Sequence, residues 1–402
     1  MIKKILKSYD YSLILAIFLL CGFGLVMVYS SSSVTAVSRY GQDPSFFFQR
    51  QLQWFLIGSA AFLFVMVIPY RAYINNKFLK LAVLGSFCLL VSLFVFGHMA
   101  GGANSWLKLF GASMQPGEYV KLSVILYLAA VYEKKQSYIN KLGVGLLPPL
   151  VFTFLICLLV AVQPDFGTAA IIGMISLAVA ACSGMNGKSL MKLILLVIIG
   201  FVIISPLLFI FSDSIFSPYR MSRLTGFTDP FETEGSSGYQ LVNSYYAIGS
   251  GGLTGVGLGE SVQKAGYLPE SHTDFIMAII SEELGIFGVV FTLSLLGFII
   301  FKGFYISRKC EDVFGSLLAV GISSMIAIQA GINLGGLTGL IPITGVTLPF
   351  ISYGGSSLSL LLISMGVLVN ISMFVNYRET YNKEMNEEHI PVKAIKQKPV
   401  SY

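Results

Sequence analysis

The segment Pro269-Glu-Ser-His-Thr-Asp274 closes a polar stretch, and Phe275-Ile-Met-Ala-Ile-Ile-Ser-Glu282-Glu283-Leu-Gly285 opens an apolar one. A carboxylate at such a border has two uses. Ser271-x-x-Asp274 has the spacing of a capping box, in which the acid only satisfies amides at a helix start. Partial desolvation would also lift an aspartate above its usual value of about 3.9 and improve it as a general base. His272 stands beside it. Glu282 follows on nearly the same helical face, roughly 12 Å deeper at 1.5 Å per residue. Acids inside an apolar helix need a reason to be there, so Glu282 and Glu283 either serve function or pair with a lysine or the backbone.

Other segments offer charge for an anionic ligand. Gln115-Pro116-Gly-Glu118-Tyr-Val-Lys121 opens an apolar run, with Pro116 suited to a first helical turn and Glu118 to the acidic position near it. Glu118 and Lys121, three apart, can neutralise each other. Alternatively, Lys121 supplies fixed positive charge to a cavity and holds a lipid phosphate. Arg220 and Arg223 share a face if their segment is helical, and their planar forks suit pyrophosphate as well as they suit solvent. Asp165, in the short turn Gln163-Pro-Asp-Phe-Gly-Thr168, reads most simply as a helix cap. The run Gly249-Ser-Gly-Gly-Leu-Thr-Gly-Val-Gly-Leu-Gly259 lacks the Lys-Ser/Thr ending of a P-loop, which argues against a nucleotide.

The elements that must position these groups are membrane helices. Of 402 residues 55% are hydrophobic and 11% charged, with a mean hydropathy of +0.78. Continuous rather than alternating apolar runs indicate helices, not barrel strands. Five scattered cysteines without a C-x-x-C, and three histidines, argue against a disulfide framework or a zinc cluster. The first apolar run is too long for the core of a cleaved signal peptide and is read as a retained span. Hydropathy gives ten spans, near 11–30, 50–69, 79–97, 116–132, 145–163, 166–184, 191–211, 274–301, 314–334 and 348–376. With the N-terminus inside, nineteen of the 26 lysines and arginines fall on inner segments, which places both termini in the cytoplasm.

This all-α polytopic fold leaves residues 212–273 as one long extracellular loop, far beyond an ordinary bundle connection. Within it, Gly238 to Ile248 reads as a short amphipathic helix. The stretch Pro342-Ile-Thr-Gly345-Val-Thr-Leu-Pro349-Phe-Ile-Ser352-Tyr-Gly-Gly-Ser-Ser357 puts prolines and paired glycines at a span entrance. That pattern predicts a broken or re-entrant helix facing a cavity, with Ser352 on its wall. Residues 1–377 form one membrane domain, followed by a polar, disordered tail from 378 to 402.

Taken together, Gln115-Pro-x-Glu118-x-x-Lys121, Gln163-Pro-Asp-Phe-Gly-Thr168, Pro218-Tyr-Arg-Met-x-Arg223, Tyr267-Leu-Pro-Glu-Ser-His-Thr-Asp-Phe275, Glu282-Glu-Leu-Gly285 and Pro349-Phe-Ile-Ser-Tyr-Gly-Gly-Ser-Ser357 resemble the SEDS proteins (shape, elongation, division and sporulation), most closely the cell-division members. The resemblance covers the chain to about Tyr377. It implies ten spans and a peptidoglycan glycosyltransferase that polymerises lipid II outside the cytoplasmic membrane. The family's essential aspartate falls on Asp274; Arg220, Arg223, Lys121, Glu118, His272 and Ser352 are candidates for holding the pyrophosphate-linked substrate, and Glu282, Glu283 and Asp165 for supporting the cavity. A class B penicillin-binding protein and other division proteins are the implied partners, and a divalent cation, magnesium or manganese, the implied cofactor. Two other readings of the same residues are a lipid II transporter and a non-catalytic division scaffold.

Overall fold

The computed structural model describes residues 2–100, 103–109, 112–210 and 218–388. After a short helix, α1 (Ile2–Ser8), each apolar run folds as a helix: α2 (Tyr11–Tyr40), α3 (Phe46–Val67), α4 (Asn76–Phe96), α5 (Pro116–Lys134), α6 (Leu147–Val162), α7 (Phe166–Ala181) and α8 (Gly187–Ile210). Two helices, α9 (Pro218–Thr228) and α10 (Tyr239–Gly251), lie in the long loop, and α11 (Ile276–Lys309), α12 (Val313–Leu337) and α13 (Gly355–Glu388) complete the bundle. Among the described residues, seven helices are long and apolar enough to cross a bilayer, and α7 is a shorter apolar helix. The protein is therefore a multi-pass membrane protein.

Three features depart from the hydropathy reading. Residues 98–114, between two expected spans, contain a small antiparallel sheet, β1 (His98–Ala100), β2 (Ala103–Leu109) and β3 (Ala112–Met114), with His98 opposite Trp106 and Leu107 opposite Met114. The last helix starts at Gly355 rather than 348, because Pro349 is followed by Phe350 at φ 67, a conformation no helix contains. It continues to Glu388, so residues 378–388 are helical where a disordered tail is expected; residues 389–402 lie outside the described part.

Between helices, lipid-like side chains gain little from leaving lipid, so close packing and hydrogen bonds must hold the bundle. Helices α12 and α13 form its enclosed centre, whereas α3 and α4 turn mostly outward. The pairing of α3 with α13 shows both devices. A Cβ on Gly366 would stand 2.9 Å from the Phe62 carbonyl, so only glycine lets the two backbones meet. At the end of α3, Asn370 donates to the Met66 carbonyl at 2.7 Å and accepts from the Tyr70 amide at 2.9 Å, satisfying backbone groups the helix leaves open.

Helix α11 is broken. Gly285 adopts φ 61, ψ −154, and the helical bonds lost there are replaced by the glycine-rich turn after α10. The amides of Val256 and Gly257 donate to the carbonyls of Glu282 and Glu283 at 2.9 and 3.0 Å, and the Ile286 amide donates to Gly252 and Leu253 at 3.2 Å. A Cβ on Gly255 would lie 2.2 Å from the Glu283 carbonyl, which explains why a glycine is needed at the contact. The break divides a 34-residue helix into a short upper piece leading from Asp274 and a lower piece, Ile286 to Lys309, of roughly 36 Å, enough to cross the hydrocarbon.

Candidate active site

Asp274 sits on the last turn of the long loop, just above α11. It does not cap that helix: the N-cap is Phe275, with no side-chain bond to the helix amides. The expected capping box is absent because its two ends are engaged elsewhere. Ser271 Oγ donates to the Ser31 carbonyl of α2 at 3.1 Å, and Asp274 Oδ1 lies 2.9 Å from Thr273 Oγ1. The carboxylate is thus left aimed at a pocket lined by Asn333, Gly336, Ile343, Gly345 and Val346. Part of the side chain is open to solvent, yet protein crowds the carboxylate from all round. This burial raises its pKa from 3.8 to about 6, against a lowering by Thr273; Glu270 adds to the rise and Arg223 opposes it.

Three residues surround Asp274, of which Asn333 also lines the pocket. Arg223, on α9, donates to the Ile343 carbonyl at 3.4 Å and so lies over the same loop that closes the pocket. Asn333, buried in α12, donates to the Asp274 carbonyl at 2.7 Å and the Val346 carbonyl at 2.8 Å. It ties the Asp274 backbone, α12 and the 341–349 segment together. Thr273 Oγ1 lies 2.9 Å from both Asp274 Oδ1 and Glu270 Oε2, and 3.1 Å from the Glu270 carbonyl. A hydroxyl has one proton, so with both acids ionised at least one carboxylate oxygen faces it without a hydrogen between them.

Asn333, Thr273 and Glu270 are absent from the residues singled out by sequence. For Asn333 a signal existed: an amide within an apolar helix needs a polar partner. Asn333→Leu is expected to cost about 1–3 kcal/mol for each of the two carbonyls left unpaired. Thermal unfolding in detergent measures this; a variant as stable as the parent would show that other bonds hold the loop.

The remaining candidates divide by location. His272 is next to Asp274 in sequence but packs away among rings, 4.4 Å from Phe47 and 5.7 Å from Tyr353 between centroids, with its carbonyl accepting from the Tyr353 amide at 2.9 Å. Burial pushes its pKa down to about 4, while Glu270 resists the shift and Arg39 adds to it. Near neutral pH it is an uncharged ring and carries no cation for a phosphate. Ser352 Oγ accepts from the Leu348 amide at 2.8 Å and shapes the turn before α13. Asp165 caps α7, accepting from the Thr168 amide at 3.1 Å, and also accepts from Gln115 Nε2 at 2.9 Å.

Glu118 and Lys121 form a buried ion pair of 2.8 Å on α5, and Glu118 Oε2 has no protein partner. Neither lines the pocket at Asp274. Arg220 lies on α9, but its side chain is outside the described part. Glu282 and Glu283 do not join Asp274. Glu282 accepts from Ser261 Oγ and from the Val262 amide at 2.9 Å, and Glu283 binds Lys264 at 2.6 Å and Ser30 at 2.6 Å. Both anchor the loop between α10 and α11. A second cavity, of about 850 Å³, lies at the other end of α11 and is lined by Arg71, Lys309, Asp312 and Arg378. Among the described residues, no three of His, Cys, Asp and Glu cluster as ligands for a metal.

Fold and site together define a helical membrane protein with a buried carboxylate, Asp274, and an arginine, Arg223, near one end of its bundle. The chain belongs to the family described as "Cell cycle protein" (FTSW_RODA_SPOVE), whose model matches residues 11–377. It is 63% identical to the "Probable peptidoglycan glycosyltransferase FtsW" of Bacillus subtilis, over 99% of this chain and 98% of that one. It is 41% identical to the "Stage V sporulation protein E" of the same organism, over 92% and 98%. Two solved structures share its fold. One, described as "Structural coordination of polymerization and crosslinking by a peptidoglycan synthase complex", aligns with a TM-score of 0.71 at 24% identity, over 91% of this chain and 98% of that one. The other, Thermus thermophilus "Rod shape determining protein RodA", aligns at 0.62 and 24%, over 93% and 98%.

Proposed function

We infer that the chain is a peptidoglycan glycosyltransferase that polymerises lipid II into β-1,4-linked glycan on the outer face of a bacterial cytoplasmic membrane, in the septal synthesis of cell division. The observation that carries the mechanism is Asp274: a carboxylate held near pKa 6 by burial, beside Arg223 at the mouth of the bundle. Ionised near neutral pH, it takes the proton from the 4-hydroxyl of the N-acetylglucosamine of lipid II. That oxygen bonds to the anomeric carbon of the growing chain as the bond to undecaprenyl pyrophosphate breaks, and the α-linked donor becomes a β-glycosidic bond. Arg223 balances charge on the departing pyrophosphate, an effect that grows where water is excluded. Arg220, Lys121 and Glu118 are further candidates for holding the substrate.

The crowded oxygens at Glu270, Thr273 and Asp274 suit a hard cation that keeps several waters and shares phosphate ligands, rather than one caged by protein alone. Glu270 and Thr273, beside Asp274, would hold magnesium or manganese, which would supply charge neutralisation for the pyrophosphate. Hydropathy supports ten spans, and the charge distribution supports cytoplasmic termini and an outer loop 212–273. The likeness to a polymerising and crosslinking complex supports a class B penicillin-binding protein as partner.

The test is to incubate purified protein with lipid II in detergent. Glycan polymer is the expected product. Unchanged lipid II, with the protein folded and its partner supplied, would overturn the reading, since a transporter has no sides to cross in detergent and a scaffold no chemistry to perform.

A further inference from the structure

The glycine-rich turn that splints α11 carries an apolar tip. Leu253, Val256 and Leu258 are 71, 44 and 55% exposed, and between Gly252 and Val262 the only charged residue is Glu260. Such a surface in water would be an uncovered hydrophobic patch. Its height, however, is fixed by the bonds to α11: the turn is fastened to Glu282, Glu283 and Ile286, well inside that helix. Immediately below the break, Ile286, Phe287 and Val290 are 47, 69 and 54% exposed on the lipid-facing side of the spanning piece. The tip prolongs that surface.

Much of the turn's backbone is also paired internally, the amides of Leu253, Thr254 and Leu258 excepted. The amides of Gly255, Val256 and Gly257 donate to Gly251, Glu282 and Glu283, and the carbonyls of Gly252 and Leu253 accept from Ile286. A segment that met acyl chains with these groups unpaired would be expelled. We propose that residues 252–258 are an interfacial membrane anchor. Leu253, Val256 and Leu258 enter the acyl region of the leaflet on the Asp274 side, and the lipid surface thereby holds the upper piece of α11 at a set height.

Tryptophan at the tip reports its surroundings. The full chain carrying Leu258→Trp is reconstituted, without any partner, in phosphatidylcholine vesicles whose acyl chains are brominated just below the headgroup, and in unbrominated ones. Phe287→Trp, on the spanning piece, is the reference for a lipid-facing site. The added emission of Leu258→Trp is expected to be blue-shifted, to be insensitive to iodide and to be mostly lost in the brominated vesicles, as for Phe287→Trp. Red-shifted emission, quenched by iodide and unchanged by bromine, would overturn the proposal and leave the tip as a surface in water, free for a protein partner. Leu253→Trp is read by the same criteria should the first variant aggregate.

Discussion

Asp274→Asn is expected to lower glycan polymerisation by about 10²–10⁴-fold, the usual contribution of a positioned general base. Asparagine keeps the shape and still accepts from Thr273, so the loss is chemical rather than structural. The raised pKa sharpens the expectation in two ways. In the parent, kcat/KM should rise with pH through about 6, because only the ionised carboxylate accepts the proton. Stability should run the other way. With a folded pKa near 6 against 3.8, the folded state binds the extra proton between those values, so stability is full below about pH 4 and declines as pH rises through 6. Asp274→Asn escapes that decline and should be more stable than the parent at pH 8, by at most about 3 kcal/mol, with the difference gone near pH 4. A variant that polymerises at a tenth of the parental rate or better would remove Asp274 from the chemistry.

The second large effect lies at the anchor of the long loop. Lys264 and Glu283 are 5% and 0% exposed and meet at 2.6 Å, with Ser30 of α2 donating to the same carboxylate. Removing one member leaves the other charge buried, so Lys264→Met or Glu283→Leu alone should cost about 3–5 kcal/mol. Replacing both at once removes the stranded charge, and the double variant Lys264→Met/Glu283→Leu should return close to the parent. Thermal unfolding in detergent across this cycle measures the coupling. Single variants within 1 kcal/mol of the parent would mean that water reaches the pair and screens it.

These expectations also show which parts of the molecule a sequence displays. The bundle helices were legible because composition governs them: a long apolar run in lipid has no alternative to a helix. Asp274 draws notice in the sequence because it stands where the polarity changes, and the family motif tips the choice toward a base. Its capping role failed for a reason outside local spacing, since Ser271 is drawn to Ser31, 240 positions away. The break at Gly285 was hidden for the same reason. Glu-Glu-Leu-Gly is acceptable in a helix, and only the arrival of Gly252 to Gly257 makes the broken form the better one. Spacing alone sets Glu282 on nearly the same face as Asp274, with Glu283 next to it in the chain. Their partners, Ser261 and Lys264, come from the loop, so they brace the site from outside the pocket.

The bonds that join the first helices to the last impose an order on the birth of the molecule. Gln51 on α3 finds the Ser352 carbonyl 301 residues later, the Tyr70 amide waits 300 for Asn370, and Ser30 waits 253 for Glu283. At about 5–20 residues per second the first of these intervals lasts roughly 15–60 s. During that time the early helices stand in the bilayer with polar groups, and the face of α3 that receives α13, unclaimed. A ribosome that stalls before α13 therefore leaves a chain that is inserted but unfinished, with its α3 seam open to quality-control proteases or to a wrong helix.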